Sequence, residues 1–173
     1  MHIWLPEYIL QRIKRLFRLF TKGEKLHIMF CFVDHFEPQW NKAALYDEVN
    51  RVDTWTEGYP KLARRHKDSD GYYPRYTFFY PIEEYRAEHL EKLACLCREG
   101  LAEVEIHLHH DNDTAQGLKQ KLKEAKALFN SHGLLAKHRN TGKIYFGFIH
   151  GNWALDNSRS DGRWCGVNNE LSV

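Results

Sequence analysis

The feature that most constrains this chain is a repeated change of hydrophobic period. Stretches whose apolar residues recur every three or four positions give way, four times, to short dense or alternating apolar runs. Alternation of that kind favours a parallel sheet flanked by helices, because returning a strand parallel to its predecessor takes a crossover that is normally helical. Leu5, Ile9, Ile13, Leu16, Phe17 and Phe20 share one helical face and Arg12, Lys14, Arg15 and Arg18 the other, which predicts a basic amphipathic helix ended by Gly23. Residues 26–33 read as strand one, stopping at Asp34-His35-Phe36-Glu37-Pro38. Residues 43–66 are helix-compatible, and 75–80 form an aromatic-rich second strand closed by Pro81. Leu90, Leu93, Ala94 and Cys97 predict a helix over 83–98 with Gly100 as its stop, followed by strand three over 103–110. A Lys-rich helix over 114–129 and strand four over 143–149 complete the series and lead into His150-Gly151-Asn152-Trp153. The one candidate boundary lies near Gly23, separating a helix over 1–23 from an α/β domain over 24–173.

Composition removes several classes of function. No apolar run approaches the roughly 20 residues that a membrane span needs. The net charge of +2, from 25 basic and 23 acidic residues, is too balanced for a dedicated nucleic-acid binder, so no nucleic-acid partner is expected. Cys31, Cys95, Cys97 and Cys165 show no CxxC spacing and read as reduced, buried thiols. Near the N-terminus, Glu7, Arg12, Lys14 and Arg15 interrupt the apolar residues before a signal-type core can form, which points to a cytoplasmic location.

Histidine is the unusual count. The chain has 11, and His35, His107, His109, His110 and His150 fall at or near the ends of strand-like runs, where an open parallel sheet collects its ligands. Strand three alternates, with Val104, Ile106 and Leu108 on one face and Glu105, His107 and His109 on the other. His109 is nearest the carboxyl end, and Asp113 follows four residues later as the chain turns. With Asp34 or His35 they would supply about three nitrogen and oxygen ligands and leave room for water, as a catalytic metal site requires. The plainer alternative makes each a satisfied structural residue: His107 would hydrogen-bond to Glu105 or a neighbouring strand, and His110 has the wrong parity unless the strand has already ended.

By pattern and position the segment 26–157 resembles the polysaccharide deacetylase family, the NodB-like carbohydrate esterases, which use a distorted (β/α)7 barrel and a divalent metal. The family's Asp-Asp-Gly motif corresponds to Val33-Asp34-His35, with one Asp present. If Asp34 takes the base position, His35 replaces the metal-binding Asp; if Asp34 is the ligand, the base position is Val33. The family's Glu-Ile-x-x-His core resembles Glu105-Ile106-His107-Leu108-His109, and its second His is replaced by Asp113. Its Arg-Pro-Pro-Tyr-Gly segment is replaced by 148–153.

The resemblance implies an α/β fold, part of a (β/α)7-type barrel with parallel strands behind an N-terminal amphipathic helix. It implies a metal-dependent hydrolase that removes acyl groups from a saccharide, with zinc as the expected ion. His109, Asp113 and His35 are the expected metal ligands and Asp34 and His150 the catalytic candidates. Glu37, His107, Asn152 and Trp153 would line the saccharide site, and Trp40 and Tyr80, like Trp153, could stack on sugar rings. A related barrel glycoside hydrolase, using a pair from Glu37, Asp111, Asp113 and Asp156, is the alternative, and a catalytically degenerate carbohydrate-binding barrel is a third. Four strand–helix units are too few to close such a barrel, so the chain is expected to be the N-terminal portion of a longer domain, lacking the late His that serves as acid and exposing an unpaired strand edge.

The basic helix can lie on an anionic membrane surface, giving peripheral association, or dock its apolar stripe on the domain. Co-sedimentation with anionic vesicles that is lost on deletion of residues 1–23 is the outcome expected of membrane association. Binding unchanged by that deletion would rule the helix out.

Overall fold

A computed structural model describes residues 5–18, 27–152, 155, 157–161 and 165–173. The expected end of the first helix at Phe20 and Gly23, the start of strand one at Leu26, and Trp153, Asp156 and Trp164 lie outside the described residues. The chain divides into two units, 1–30 and 31–173. In the first, α1 (Leu5–Arg18) is the expected amphipathic helix. Glu7 in its first turn complements the positive end of the helix dipole, and Gln11 donates to Glu7 at 2.9 Å across one turn. No helix among the described residues is long and apolar enough to cross a membrane.

The second unit runs β1 (Phe32–His35), α2 (Leu45–Ala63), β2 (Tyr76–Pro81), α3 (Ala87–Arg98), β3 (Ala102–Leu108), α4 (Ala115–Ser131), β4 (Ala136–Lys137), β5 (Ile144–Tyr145) and β6 (Phe148–His150). Strands β1-β2-β3-β6 form one parallel sheet in that order, and β4 and β5 a separate antiparallel pair. Each new strand joins the same edge, so the sheet curls into a half-barrel and the helices gather on one face.

Register shows which residues meet them. Phe78, Val104, Ile106, Leu108, Phe148 and His150 have one parity, and Phe79, Glu105, His107 and Ile149 the other. The first parity supplies the core: Phe78, Tyr80, Val104 and Ile106 pack with Val52 of α2, Leu90, Leu93 and Ala94 of α3, and Ala125 and Phe129 of α4. Full burial of each large apolar side chain is worth about 1.5–3 kcal/mol. The second parity faces the open, concave side.

Several boundaries differ from expectation, each for a local reason. Strand one forms over Phe32–His35 rather than 26–33, so Asp34 and His35 lie in the strand instead of after it. The expected helix over 83–98 starts only at Ala87, because Tyr85 and Arg86 are extended and Arg86 is held by an ion pair to buried Glu48. Strand four breaks into β5 and β6 at Gly147, whose N–H donates to Glu105 across the concave face. The four thiols are free, but only Cys165 is buried; Cys31 and Cys95 are exposed. Tyr80, a stacking candidate, is fully buried instead, with its hydroxyl donating to the Glu84 carbonyl at 2.7 Å.

Leu90 is fully buried between α3 and the sheet. Leu90→Ala should cost about 2–5 kcal/mol in urea unfolding, and a loss within the error of the parent would mean that the core is not centred on this helix.

Candidate functional site

The carboxyl ends of β1, β3 and β6 carry two groups of side chains that could hold a metal ion, one on each face of the sheet.

The first is on the concave face. His35 and Glu37 are two residues apart and extend the same side of β1, while His107 comes from β3 with the same parity. The Glu37 Oε1 atom lies 3.2 Å from His107 Nε2, 3.6 Å from His35 Nδ1 and 3.6 Å from His109 Nε2. His107 is fully buried and its Nδ1 donates to the Ile149 carbonyl at 2.7 Å, which leaves the Nε2 lone pair aimed at Glu37 whenever the ring is neutral. Burial also lowers the His107 pKa, against the opposing hydrogen bond to Ile149, and so favours that neutral ring. The His35 side chain is 48% exposed, so this group is open to solvent. A cleft of about 290 Å³ beside it is lined by Asp34, His35, Glu37, Arg51 and Trp55 among others.

His109 lies just past the end of β3, where Gly151 gives it room: a Cβ there would meet the His109 ring at 2.3 Å. Its Nδ1 and backbone N–H both approach Glu83 Oε1, at 2.7 and 2.9 Å. The Glu83 hydrogen bond raises the His109 pKa, outweighing desolvation. Burial alone would raise Glu83, but the hydrogen bonds from His109 and from backbone N–H groups bring it below the ordinary range.

The second group lies on the helix-packed face. His110 follows the end of β3, so strand parity no longer binds it, and its ring turns toward His150 of β6. The two Nε2 atoms are 3.0 Å apart, and Glu170 Oε1 is 2.8 Å from the first and 3.0 Å from the second. Cys165 Sγ is 3.0 Å from the same oxygen. Gly166 makes the approach of this segment feasible: its φ is +95°, a Cβ would meet the Asp113 backbone oxygen at 2.0 Å, and Asp113 N–H donates to the Cys165 carbonyl at 2.8 Å. Behind His110, Asp113 Oδ2 lies 3.0 Å from Nδ1 and also accepts from Lys121 at 2.8 Å. Burial raises Asp113, but Lys121, the Thr114 N–H and His110 together lower it. Burial and the Glu170 carboxylate push the Cys165 thiol up to about 11.

The sequence-derived residues therefore divide. His35, Glu37, His107 and His109 come together, whereas Asp113 belongs to the other group, one shell behind His110. Asp34 registers with Phe78, on the face opposite His35, and hydrogen-bonds to Tyr76; desolvation raises its pKa. His150 sits in the second group, and Asn152 supports it by donating its N–H to His150 Nδ1 at 2.9 Å and its side-chain amide to the His110 carbonyl. His110 has the wrong parity for a strand running through it, and the end of β3 at Leu108 releases it from that constraint. Glu170 and Cys165 were missed, because nothing in their local pattern marks them as partners of residues 15 to 60 positions away. No protein-family model, curated protein or solved structure matches the chain.

The His109–Glu83 pair has a pH signature. The raised His109 contributes fully below its ordinary value of 6.5 and loses that contribution as pH rises through the folded value. The lowered Glu83 contributes above its ordinary 4.5 and loses it as pH falls through the folded value, so the pair is at full strength between the two. Both side chains are 35% exposed, which screens the gain. In an NMR titration His109 should titrate above 6.5 in the parent and fall toward it in Glu83→Gln; an unchanged His109 titration would dissolve the pair.

Proposed function

We propose that the concave-face group is the metal-binding half of a hydrolase active site, held by His35, Glu37 and His107, and that the half-barrel belongs to a (β/α)7-type barrel acting on an acylated saccharide. One observation carries the reading: three imidazoles face a single carboxylate oxygen on an open face, with the His107 tautomer fixed by a backbone carbonyl. The Glu37 oxygen's separations from His107 and His35, 3.2 and 3.6 Å, fit the roughly 3.3 Å between ligand atoms about 2.0 Å from one zinc ion in a tetrahedral site. Three protein ligands with one side open favour a catalytic over a structural ion. When bound, such an ion polarises a carbonyl and acidifies water. The substrate class rests on the resemblance of the strand-end motifs to the polysaccharide deacetylases.

The chain's own residues then divide the work. Glu83 holds the His109 ring with Nδ1 toward itself and Nε2 toward the Glu37 oxygen, so that a protonated His109 can deliver its Nε2 proton to a leaving group at that point. Asp34, on the other face of β1, is not placed for that exchange. Ile149 holds His107 in the ligand tautomer. The adjacent cleft, with Arg51 and Trp55 in its wall, offers a polar and an aromatic surface to a sugar.

The test is release of acetate from an acetylated aminosugar oligomer by the zinc-reconstituted chain. Chelation should abolish it, and His35→Ala should lower kcat/KM by more than the roughly 10–100-fold that loss of an outer-shell partner costs. Turnover that survives chelation, or cleavage of the glycosidic bond in its place, would favour the glycoside hydrolase. Metal and sugar binding without acetate release would leave a binding barrel.

A further inference from the structure

We infer that His110, His150, Cys165 and Glu170 form a second, four-ligand site for a zinc-class ion, closed and structural, which clamps the segment 165–173 onto the ends of β3 and β6. It stands independently of the open group on the other face.

The argument is one of protons. His110 Nε2, His150 Nε2 and Cys165 Sγ all approach one oxygen, Glu170 Oε1, at 2.8–3.0 Å. The two Nε2 atoms are also 3.0 Å from each other, so both cannot carry hydrogen. Meanwhile Glu170 Oε2 is buried with no hydrogen-bond partner among the described residues. A purely hydrogen-bonded network would aim three groups at one oxygen with at most two hydrogens among them, and leave the other oxygen bare, at about 1–3 kcal/mol for such an unsatisfied group. A cation in the middle removes the conflict, since all four groups then serve as electron-pair donors.

Charge agrees. Two neutral imidazoles, one thiolate and one carboxylate exactly balance a divalent ion, whereas without it the carboxylate is a buried charge whose side chain is 2% exposed. His110, His150 and Cys165 are buried as well, with side-chain exposures of 0% and 8% for the imidazoles and 1% for the cysteine residue. Four protein ligands with no open position mark a structural site, and the nitrogen, sulfur and oxygen mixture suits Zn²⁺. Asp113 behind His110 Nδ1 is the outer carboxylate such sites use to orient a ligand ring. The four donor atoms lie within 4.8 Å of one another, and the closest must spread by a few tenths of an ångström to admit an ion. Binding expels the Cys165 thiol proton to solvent and shifts the His150 proton from Nε2 to Nδ1. There the Asn152 carbonyl, 3.4 Å away, accepts it in place of the present Asn152 N–H contact.

Cobalt(II) reports the site directly, because thiolate ligation gives a charge-transfer band in the near ultraviolet. The chain is prepared with the exposed Cys31 and Cys95 both replaced by Ser, which removes the accessible thiols and leaves the core intact. Titration with Co²⁺ should give the band at one equivalent, and excess Zn²⁺ should erase it. His35→Ala in the same background should keep the band, and Cys165→Ser should abolish it while binding at the open site persists. Absence of the band in the Cys31/Cys95 variant after reconstitution would overturn the assignment, whether or not Cys165→Ser folds. A band that survives Cys165→Ser would overturn it too. Loss of acetate release with the band intact would refute the hydrolase reading alone.

Discussion

Strand β3 is paired on both edges, with β2 on one side and β6 on the other, so its side chains have only two directions available. This constraint organises the chemical end of the molecule. One direction is taken up by the core, where Val104, Ile106 and Leu108 meet the helices, and whatever stands between them must project to the open face. His107 is therefore a concave-face group by geometry. Its full burial would be costly for an imidazole without partners; the Ile149 carbonyl serves Nδ1, and Nε2 lies 3.2 Å from Glu37.

The ladder stops at Leu108, and the three histidines around that point go three ways. His107 remains under strand parity, His109 swings to Glu83, and His110 turns beneath the sheet end toward α4 and the segment 165–173. Asn112 with φ +48° and the Thr114 cap, whose hydroxyl accepts from Gly117 N–H at 3.0 Å, make the sharp turn from strand into helix that this requires. One short polar stretch thus serves both faces.

How much of this could be read from the sequence follows from the range of each signal. Alternation over Val104–Leu108 is local, so β3, its faces and the inward position of Glu105 and His107 were legible, as were the helices that cover it. Helical spacing likewise located α3 and α4 to within a few residues. Strand one was harder, since the apolar run ahead of it has no period to say where pairing begins, and pairing with β2 starts only at Phe32. The ligand grouping was harder still. His109 and Asp113 are at a plausible spacing, yet Glu83 and Lys121 compete for them, and neither competitor is a sequence neighbour. Cys165 and Glu170 depend on Gly166 lying against the Asp113 backbone, a contact that no periodicity encodes.

The two faces are not independent, because β6 serves both with adjacent residues. Ile149 offers its carbonyl to His107 on the concave side, while His150 points into the four-residue group on the other. β6 is only three residues long and pairs with β3 over three positions, so its ladder alone holds it weakly. An ion fixed between His110 and His150 would tie β6 to the end of β3 more firmly than those pairings do. Under that assignment the buried ion acts on the open face without touching it: a shift of β6 by about 1 Å would break the Ile149–His107 hydrogen bond and free the ring to turn its Nε2 away from Glu37, a misplacement of the size that costs orders of magnitude in a site built on position. The structural ion would then be required for the geometry of the catalytic one, and the reverse would not hold, because among the described residues nothing on the concave face positions Cys165 or Glu170.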